Sequence, residues 1–441
     1  MSLLAKLRYQ FMVKGVGAAL LRLERWRSAR RLRTRPPGRD APFGPPLATS
    51  PWLKQLIAGH YLSGRYSTGA RPVAWVTSGG PVEFLVALGY HVHYPENHGA
   101  VCGIRRVAER LCERAEDAGY GRDICSYART DFGTVLGGAT PVGRLPRPDL
   151  LLCCNNICQT VLHWYRVLAD HYRVPLLLID TPFLYRQAHD HEVEYVKRQL
   201  DQAVVVAERV AGRSLAPSRL EQAARLSKEA VELWARVLAA ARARPAPISA
   251  FDAFIHMAPI VEMRGERFTV EYYRALLDEL ERRRQQGIAA VPGESKRLLW
   301  DNLPIWYRVR WLATWLAERG VALVASTYTH AWGELAPLMD SRRPLESAAR
   351  VYLHPILNRS TGDKLRTIQQ LAGDYSVDGV LLHSDRSCKP YSVGQLDQQK
   401  LLGRKLGIPA LVMEADHNDP RVFSEAQTEA RLQAFLEMLA G

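Results

Sequence analysis

The stretch Pro148 to Phe183, PDLLLCCNNICQTVLHWYRVLADHYRVPLLLIDTPF, constrains the fold more than any other part of the chain. Leu150 to Cys153 is an apolar run too short for a helix core, Asn155 and Asn156 supply turn chemistry, and Thr160 to Asp170 carries the 3.6-residue periodicity of a packed helix. Val174 to Asp180 is a second buried run. Strand, turn, helix and strand in that order form a βαβ unit, which makes the two strands parallel. Parallel strands need helices on both faces, so the remaining chain must supply more units of the same kind.

It does so in both halves. Pro72 to Val76 and His91 to Tyr94 read as further strands of a first α/β region. The first runs into Thr77-Ser78-Gly79-Gly80-Pro81 and a helix Val82 to Leu88, with Pro81 suited to the first helical position. Small residues there either let backbone amides face a phosphate or carboxylate or form an ordinary tight turn. PENHGAVCG follows as a loop, then a helix from about Ile104 to Ala118. In the second half the expected strands are Arg297 to Trp300, Val321 to Ser326, Ala349 to Leu353, Gly379 to His383 and Pro409 to Glu414. The helical patterns Ile305 to Glu318, Asp363 to Ala372, Val393 to Leu406 and Ser424 to Leu439 separate or follow them. The expected architecture is α/β: two doubly wound parallel-sheet domains of Rossmann or flavodoxin type, facing a cleft. Long amphipathic patterns at Val193 to Val210 and Pro217 to Ala241 form a helical connector. The expected divisions are 1–50, 51–190, 191–290 and 291–441.

The formal charge of +14 is concentrated at one end. Met1 to Arg39 contains eleven Lys and Arg against Glu24 alone, a net +10, so the body carries only about +4. Basic character therefore describes an N-terminal helical extension, followed by a Pro/Gly-rich linker from Arg35 to Thr49. It does not point to a nucleic-acid-binding body. With Leu20, Leu21, Leu23 and Trp26 among its arginines, the extension reads either as a basic amphipathic helix for a partner or anionic membrane surface, or as a solvated tail. No apolar run approaches the roughly 20 residues of a membrane span, so a cytoplasmic, soluble protein is expected.

Seven cysteines, Cys102, Cys112, Cys125, Cys153, Cys154, Cys158 and Cys388, are an odd number in a large chain without secretory features. A disulfide framework is disfavoured, and metal or redox use gains weight. Cys125, Cys158 and Cys388 fall at the ends of expected strands in both halves. Thiols supplied by separate loops across a cleft suit an iron–sulfur cluster. Arg129, Arg386 and Lys389 are cations available to hold the sulfurs as thiolates. Against this, there is no CxxC pair, and spacing alone leaves buried or nucleophilic cysteine open. Asp416 and His417, in EADHNDP, read either as a metal-binding or catalytic dyad or, preferably, as part of a turn.

Six ordered segments carry a resemblance: PENHG at Pro95, CSYARTD at Cys125, CCNNICQTVLHWY at Cys153, RLLWDNLPIW at Arg297, ASTYT at Ala325 and HSDRSCKPYSVG at His383. Together, over about Val73 to Leu439, the chain resembles the 2-hydroxyacyl-CoA dehydratase and benzoyl-CoA reductase family. The resemblance implies a [4Fe–4S] cluster held by three cysteines with one iron open. By segment those are Cys125, Cys158 and Cys388, with Cys154 the runner-up, Cys153 packed under its strand, and Cys102 and Cys112 structural. It implies an acyl-CoA thioester substrate, one-electron ketyl radical chemistry, a related second subunit in a heterodimer, and an ATP-hydrolysing iron–sulfur activator protein. No Walker A pattern is present, so the electron source is expected to be that other protein. Glu96, His98, Ser326 and Tyr328, polar groups near expected strand ends, are the candidates to orient substrate or move protons. Dehydration of a 2-hydroxyacyl-CoA to an enoyl-CoA is the leading activity; an aryl-CoA reductase subunit and a non-catalytic electron-relay subunit are the alternatives.

Overall fold

The computed structural model describes residues 2–34 and 42–439; residues 35–41 of the expected linker lie outside them. Two four-stranded sheets, all parallel, form the framework. The first contains β1 (Val73–Val76), β2 (His91–His93), β3 (Leu150–Cys154) and β4 (Leu176–Ile179) in the order β2-β1-β3-β4. The second contains β5 (Lys296–Asp301), β6 (Val321–Ser326), β7 (Gly379–Asp385) and β8 (Ala410–Ala415) in the order β6-β5-β7-β8. Each sheet repeats the winding 2-1-3-4 of flavodoxin-like folds, as the alternating pattern led us to expect.

The central strands of the first sheet, β1 and β3, are apolar throughout because helices cover both faces. On β3, Leu151 and Cys153 pack with Trp164 and Tyr165, while Leu150, Leu152 and Cys154 pack with Phe84 and Tyr90 on the opposite face. The connector helices Asp190–Ala211 and Pro217–Ala239 are joined by a third, Arg267–Gln285. Trp234, Tyr272 and Tyr273 build their core, which extends to Leu299 and Val380 of the second sheet and takes in Leu47 and Leu53. The backbone also ties the halves together: Leu184 donates to the Asn358 carbonyl at 2.9 Å and accepts from Ser360 at 3.2 Å. Among the described residues no helix is long and apolar enough to cross a membrane.

Three local expectations are corrected. Ala349 to Leu353 is the end of a helix, Pro344–Leu353, not a strand. Its Val351, Tyr352 and Leu353 resemble a strand in composition, but Pro344 sits at the helix start and Ala349, Tyr352 and Leu353 share a buried face. PENHGAVCG is not a loop: Pro95–Ile104 is a helix, opened by Pro95 with Glu96 in its first turn. The helix after β1 begins at Glu83, leaving Pro81 outside it.

Candidate functional site

In each sheet the winding reverses between the first and third strands, β1 and β3 in one and β5 and β7 in the other. Loops leaving those carboxyl ends diverge and open a crevice. Cys158 lies in the loop after β3, and Cys388 lies in the equivalent loop after β7. Cys125 does not end a strand as expected; it is the N-cap of the helix Ser126–Val135, inserted between β2 and β3. All three are half-buried free thiols, and all three line one cavity between the domains.

Side-chain hydrogen bonds fix these loops. Asn156 donates from Nδ2 to the carbonyl oxygens of Gly79 and Tyr352, both at 2.9 Å, linking the Cys158 loop to the β1 loop and to the second domain. A Cβ on Gly79 would come within 2.7 Å of the Asn156 side chain, so the two loops approach as closely as glycine allows. The amide of Ser126 donates to Ser387 Oγ at 3.1 Å, and Ser387 donates to Asp416 Oδ2 at 2.5 Å. This joins the Cys125 helix to the Cys388 loop. Asn418 reinforces the junction by donating to Thr130 Oγ1 at 2.9 Å.

Burial pushes the Cys158 thiol up to about 12, with Cys125 adding to the effect. Cys388 is raised by burial, then by Asp385, Cys125 and Cys158. Cys125 lies near enough to act on both, and all three sulfurs face the one cavity. Three soft sulfur donors from three loops on one cavity would suit an iron–sulfur cluster. The donor set therefore fits the group that the resemblance implies.

Glu96 lines the same cavity. Its Oε1 accepts from the Ser78 amide at 3.2 Å, and its Oε2 is buried without a partner. Burial raises its carboxyl to about 8. The Ser78 amide is thus engaged by Glu96, which uses one of the donors that the anion-binding reading of the β1 loop required. Tyr328 also lines the cavity, its phenol raised by burial and then by Glu96.

The other candidates lie elsewhere. His98 does not line the cavity; it is buried beside Cys102, with Nε2 at 3.6 Å from Sγ, and burial lowers it to about 4. Ser326 is the N-cap of the short helix Thr327–His330, its hydroxyl accepting from the Tyr328 amide at 3.2 Å. Cys153 and Cys154 belong to the cores on either face of β3, and Cys112 is buried against the Ser126 carbonyl. The cations do not face the sulfurs as anticipated. Arg129 is buried between Glu116 and Asp419 at 2.6 and 2.8 Å, Arg386 pairs with Glu414 at the surface, and Lys389 donates to the Arg386 carbonyl.

A histidine stands beside Cys125 instead. His417 Nδ1 donates to Asp385 Oδ2 at 2.7 Å, while Nε2 lies 2.8 Å from Ser126 Oγ and 3.8 Å from Cys125 Sγ. Burial alone disfavours its charge, but Asp385 and Asp416 outweigh it and raise the imidazole well above its usual range. The turn reading holds for Asp416, whose Oδ1 accepts from the Asn418 and Asp419 amides at 2.8 and 2.9 Å, but leaves out the contacts of His417. Asp385, the partner that gives the histidine its charge, comes from β7, 32 residues away.

Residues 77–439 match the family described as 2-hydroxyglutaryl-CoA dehydratase, D-component. The chain belongs to that family. The (R)-2-hydroxyisocaproyl-CoA dehydratase alpha subunit of Clostridioides difficile is 33% identical over 391 residues, covering 88% of this chain and 95% of that protein. The (R)-2-hydroxyglutaryl-CoA dehydratase subunit alpha of Acidaminococcus fermentans is 28% identical over 442 residues, with 83% and 91% covered. A benzoyl-CoA reductase subunit of Thauera aromatica is 28% identical over 405 residues, with 88% and 93% covered. The protein is accordingly an enzyme subunit, and the span matched to the 2-hydroxyglutaryl-CoA dehydratase D-component family includes the loops at the carboxyl ends of both sheets.

Proposed function

We propose that this chain is the cluster-holding subunit of a 2-hydroxyacyl-CoA dehydratase, with Cys125, Cys158 and Cys388 as ligands of a [4Fe–4S] cluster. The observation that carries the reading is the convergence of three thiols, from both domains, on one cavity that also contains Glu96. The names of the dehydratase relatives support the reaction, and their alpha designation supports a related second subunit as partner. When bound, the cluster supplies a low-potential electron, received from an ATP-hydrolysing iron–sulfur activator, and an open iron that polarises a thioester carbonyl.

The chain's own residues do the rest. Glu96 is protonated near neutrality and holds its proton at the unpartnered Oε2, from which it is given to the departing 2-hydroxyl so that this leaves as water. The protonated Tyr328 hydroxyl orients the substrate beside it. Ile157, Val161, Trp164, Trp332 and Ile356 exclude water around the acyl group. Those walls favour an apolar acyl chain. Arg264 is the only Lys or Arg among the described lining residues, and Glu83 already neutralises it at 3.1 Å, so no free guanidinium awaits a second carboxylate.

The test is to supply the two-subunit complex with an activator and to measure loss of 2-hydroxyacyl-CoA and reduction of aryl-CoA in parallel. Enoyl-CoA product is expected. Aryl-CoA reduction alone would assign the chain to the reductase branch represented by the Thauera relative. Product from neither would leave electron relay as its role.

A further inference from the structure

The N-terminal helix lies outside the family match and takes no part in the cavity. It runs in three consecutive parts, α-helical over Leu3–Tyr9, π-helical over Gln10–Gly17 and α-helical over Ala18–Thr34. One side rests on the helix Ser50–Ser67. Gly17 is buried where a Cβ would come within 2.5 Å of Leu62, Tyr9 shares a hydrogen bond with Ser63 at 2.9 Å, and the Arg25 guanidinium lies 4.5 Å from the Trp52 ring centre. The helix is therefore fixed to the body and is no free tail.

Its other side is uncovered. Leu3, Leu4, Leu7, Phe11, Leu20 and Trp26 are between 58% and 78% exposed, and Val16 and Leu23 are exposed by 41% and 42%. These residues share one stripe. Leu4, Leu7 and Phe11 follow the three- and four-residue steps of an α-helical face, as do Val16, Leu20 and Leu23. The step of five between Phe11 and Val16 would rotate the second set away, but it falls within the π-helical part, whose wider turn restores the alignment. The stripe is roughly 30 Å long at the helical rise. Exposed Lys6, Lys14 and Arg22 recur along it at eight-residue steps, and Arg27, Arg30 and Arg31 gather at its end. Glu24 is the helix's only acid.

We propose that this stripe docks the protein on an anionic lipid bilayer, the apolar side chains entering the headgroup boundary and the cations meeting lipid phosphates. The inference is independent of the reaction proposed above. Exposed apolar residues bordered almost entirely by positive charge are what such a surface selects. A partner helix would be met by flanks of both signs. A nucleic acid would leave the leucines and phenylalanine without an apolar counterpart.

Flotation of the two-subunit complex, and of the isolated chain, with phosphatidylcholine vesicles containing about one third phosphatidylglycerol tests this, against phosphatidylcholine alone. Both preparations are expected to float with the anionic vesicles only. The triple variant Lys6→Gln, Lys14→Gln, Arg22→Gln is expected to lose partitioning on the order of a hundredfold, at about one kcal/mol per cation. The triple variant Leu7→Ser, Phe11→Ser, Leu20→Ser is expected to lose at least as much. Circular dichroism and thermal midpoint should be unchanged in both, because every substituted side chain is exposed. Absence of flotation, or flotation of the serine variant equal to that of the parent, would overturn the proposal. Flotation of the isolated chain but not of the complex would assign the stripe to the partner subunit. A dimer of this chain that the serine variant dissociates, without vesicle binding, would assign it to a second copy.

Discussion

Replacing Glu96 with Gln separates proton donation from the other work of the cavity. Glu96 is 7% exposed, and its carboxyl is raised by burial from 4.5 to about 8. At about 1.36 kcal/mol per unit, ionising it in place costs about 5 kcal/mol more than in the unfolded chain. The sign follows from proton counting. Between pH 4.5 and about 8 the folded state keeps a proton that the unfolded state has lost, so the native protein's stability falls with rising pH through that window. Glutamine carries no such proton. Its amide, facing the site where Oε2 has no partner, imposes a roughly constant cost of about 1 to 3 kcal/mol. The stability of Glu96→Gln relative to the parent should therefore rise by up to about 5 kcal/mol from pH 4.5 to 8.5, as read from urea unfolding at several pH values. Its kcat/KM should fall by about 10² to 10⁴, and the parent's decline above pH 8 should be absent from what remains. A variant with the parent's rate and pH profile, or a stability difference that does not change with pH, would refute the reasoning.

Other consequences concern the charged groups and the walls. His417→Leu strands the buried Asp385 carboxylate and should cost about 3 to 5 kcal/mol in thermal or urea unfolding, while adding Asp385→Asn should recover part of the loss. Burial raises the Asp419 carboxyl, but hydrogen bonds from Arg421 and Arg129 outweigh it and hold the group at about 2, below its ordinary 3.8. The stability this confers is present above pH 4 and lost as pH falls towards 2, so Arg421→Gln should move the acid-unfolding midpoint to higher pH. In the acyl-CoA assay an apolar 2-hydroxyacyl group should exceed a dicarboxylic one by about tenfold or more in kcat/KM, and a preference for the dicarboxylic substrate would contradict the pairing of Arg264 with Glu83.

The sheets were legible because their strands are short apolar runs bounded by turn residues, as Leu150 to Cys153 illustrates. Ala349 to Leu353 failed because a helix face buried against another helix uses the same valine, tyrosine and leucine as a strand, and composition over five residues cannot separate the two periods. The helix that carries Glu96 was hidden by Pro95, Asn97 and Gly99, which suggest a loop until the proline is recognised as the first helical residue. Within the site, the three cysteines could be chosen by segment, but what surrounds them could not. The nearest cations in sequence, Arg129, Arg386 and Lys389, all turn away, whereas His417 arrives from the loop after β8 and owes its charge to Asp385 on β7. Only the pairing of neighbouring parallel strands places those two side chains together. His98 and Ser326 illustrate the reverse: polar residues near strand ends whose hydrogen bonds serve a buried contact with Cys102 and a helix start.

Whether Cys125, Cys158 and Cys388 jointly hold a cluster is decided by anaerobic purification with iron and sulfide analysis. The parent chain should contain about four iron and four sulfide. Cys125→Ser, Cys158→Ser and Cys388→Ser should each lose that content or show an altered cluster spectrum, while Cys154→Ser should retain the parent's. A parent without iron and sulfide, or a Cys158→Ser protein with its cluster intact beside a Cys154→Ser protein without one, would contradict that assignment.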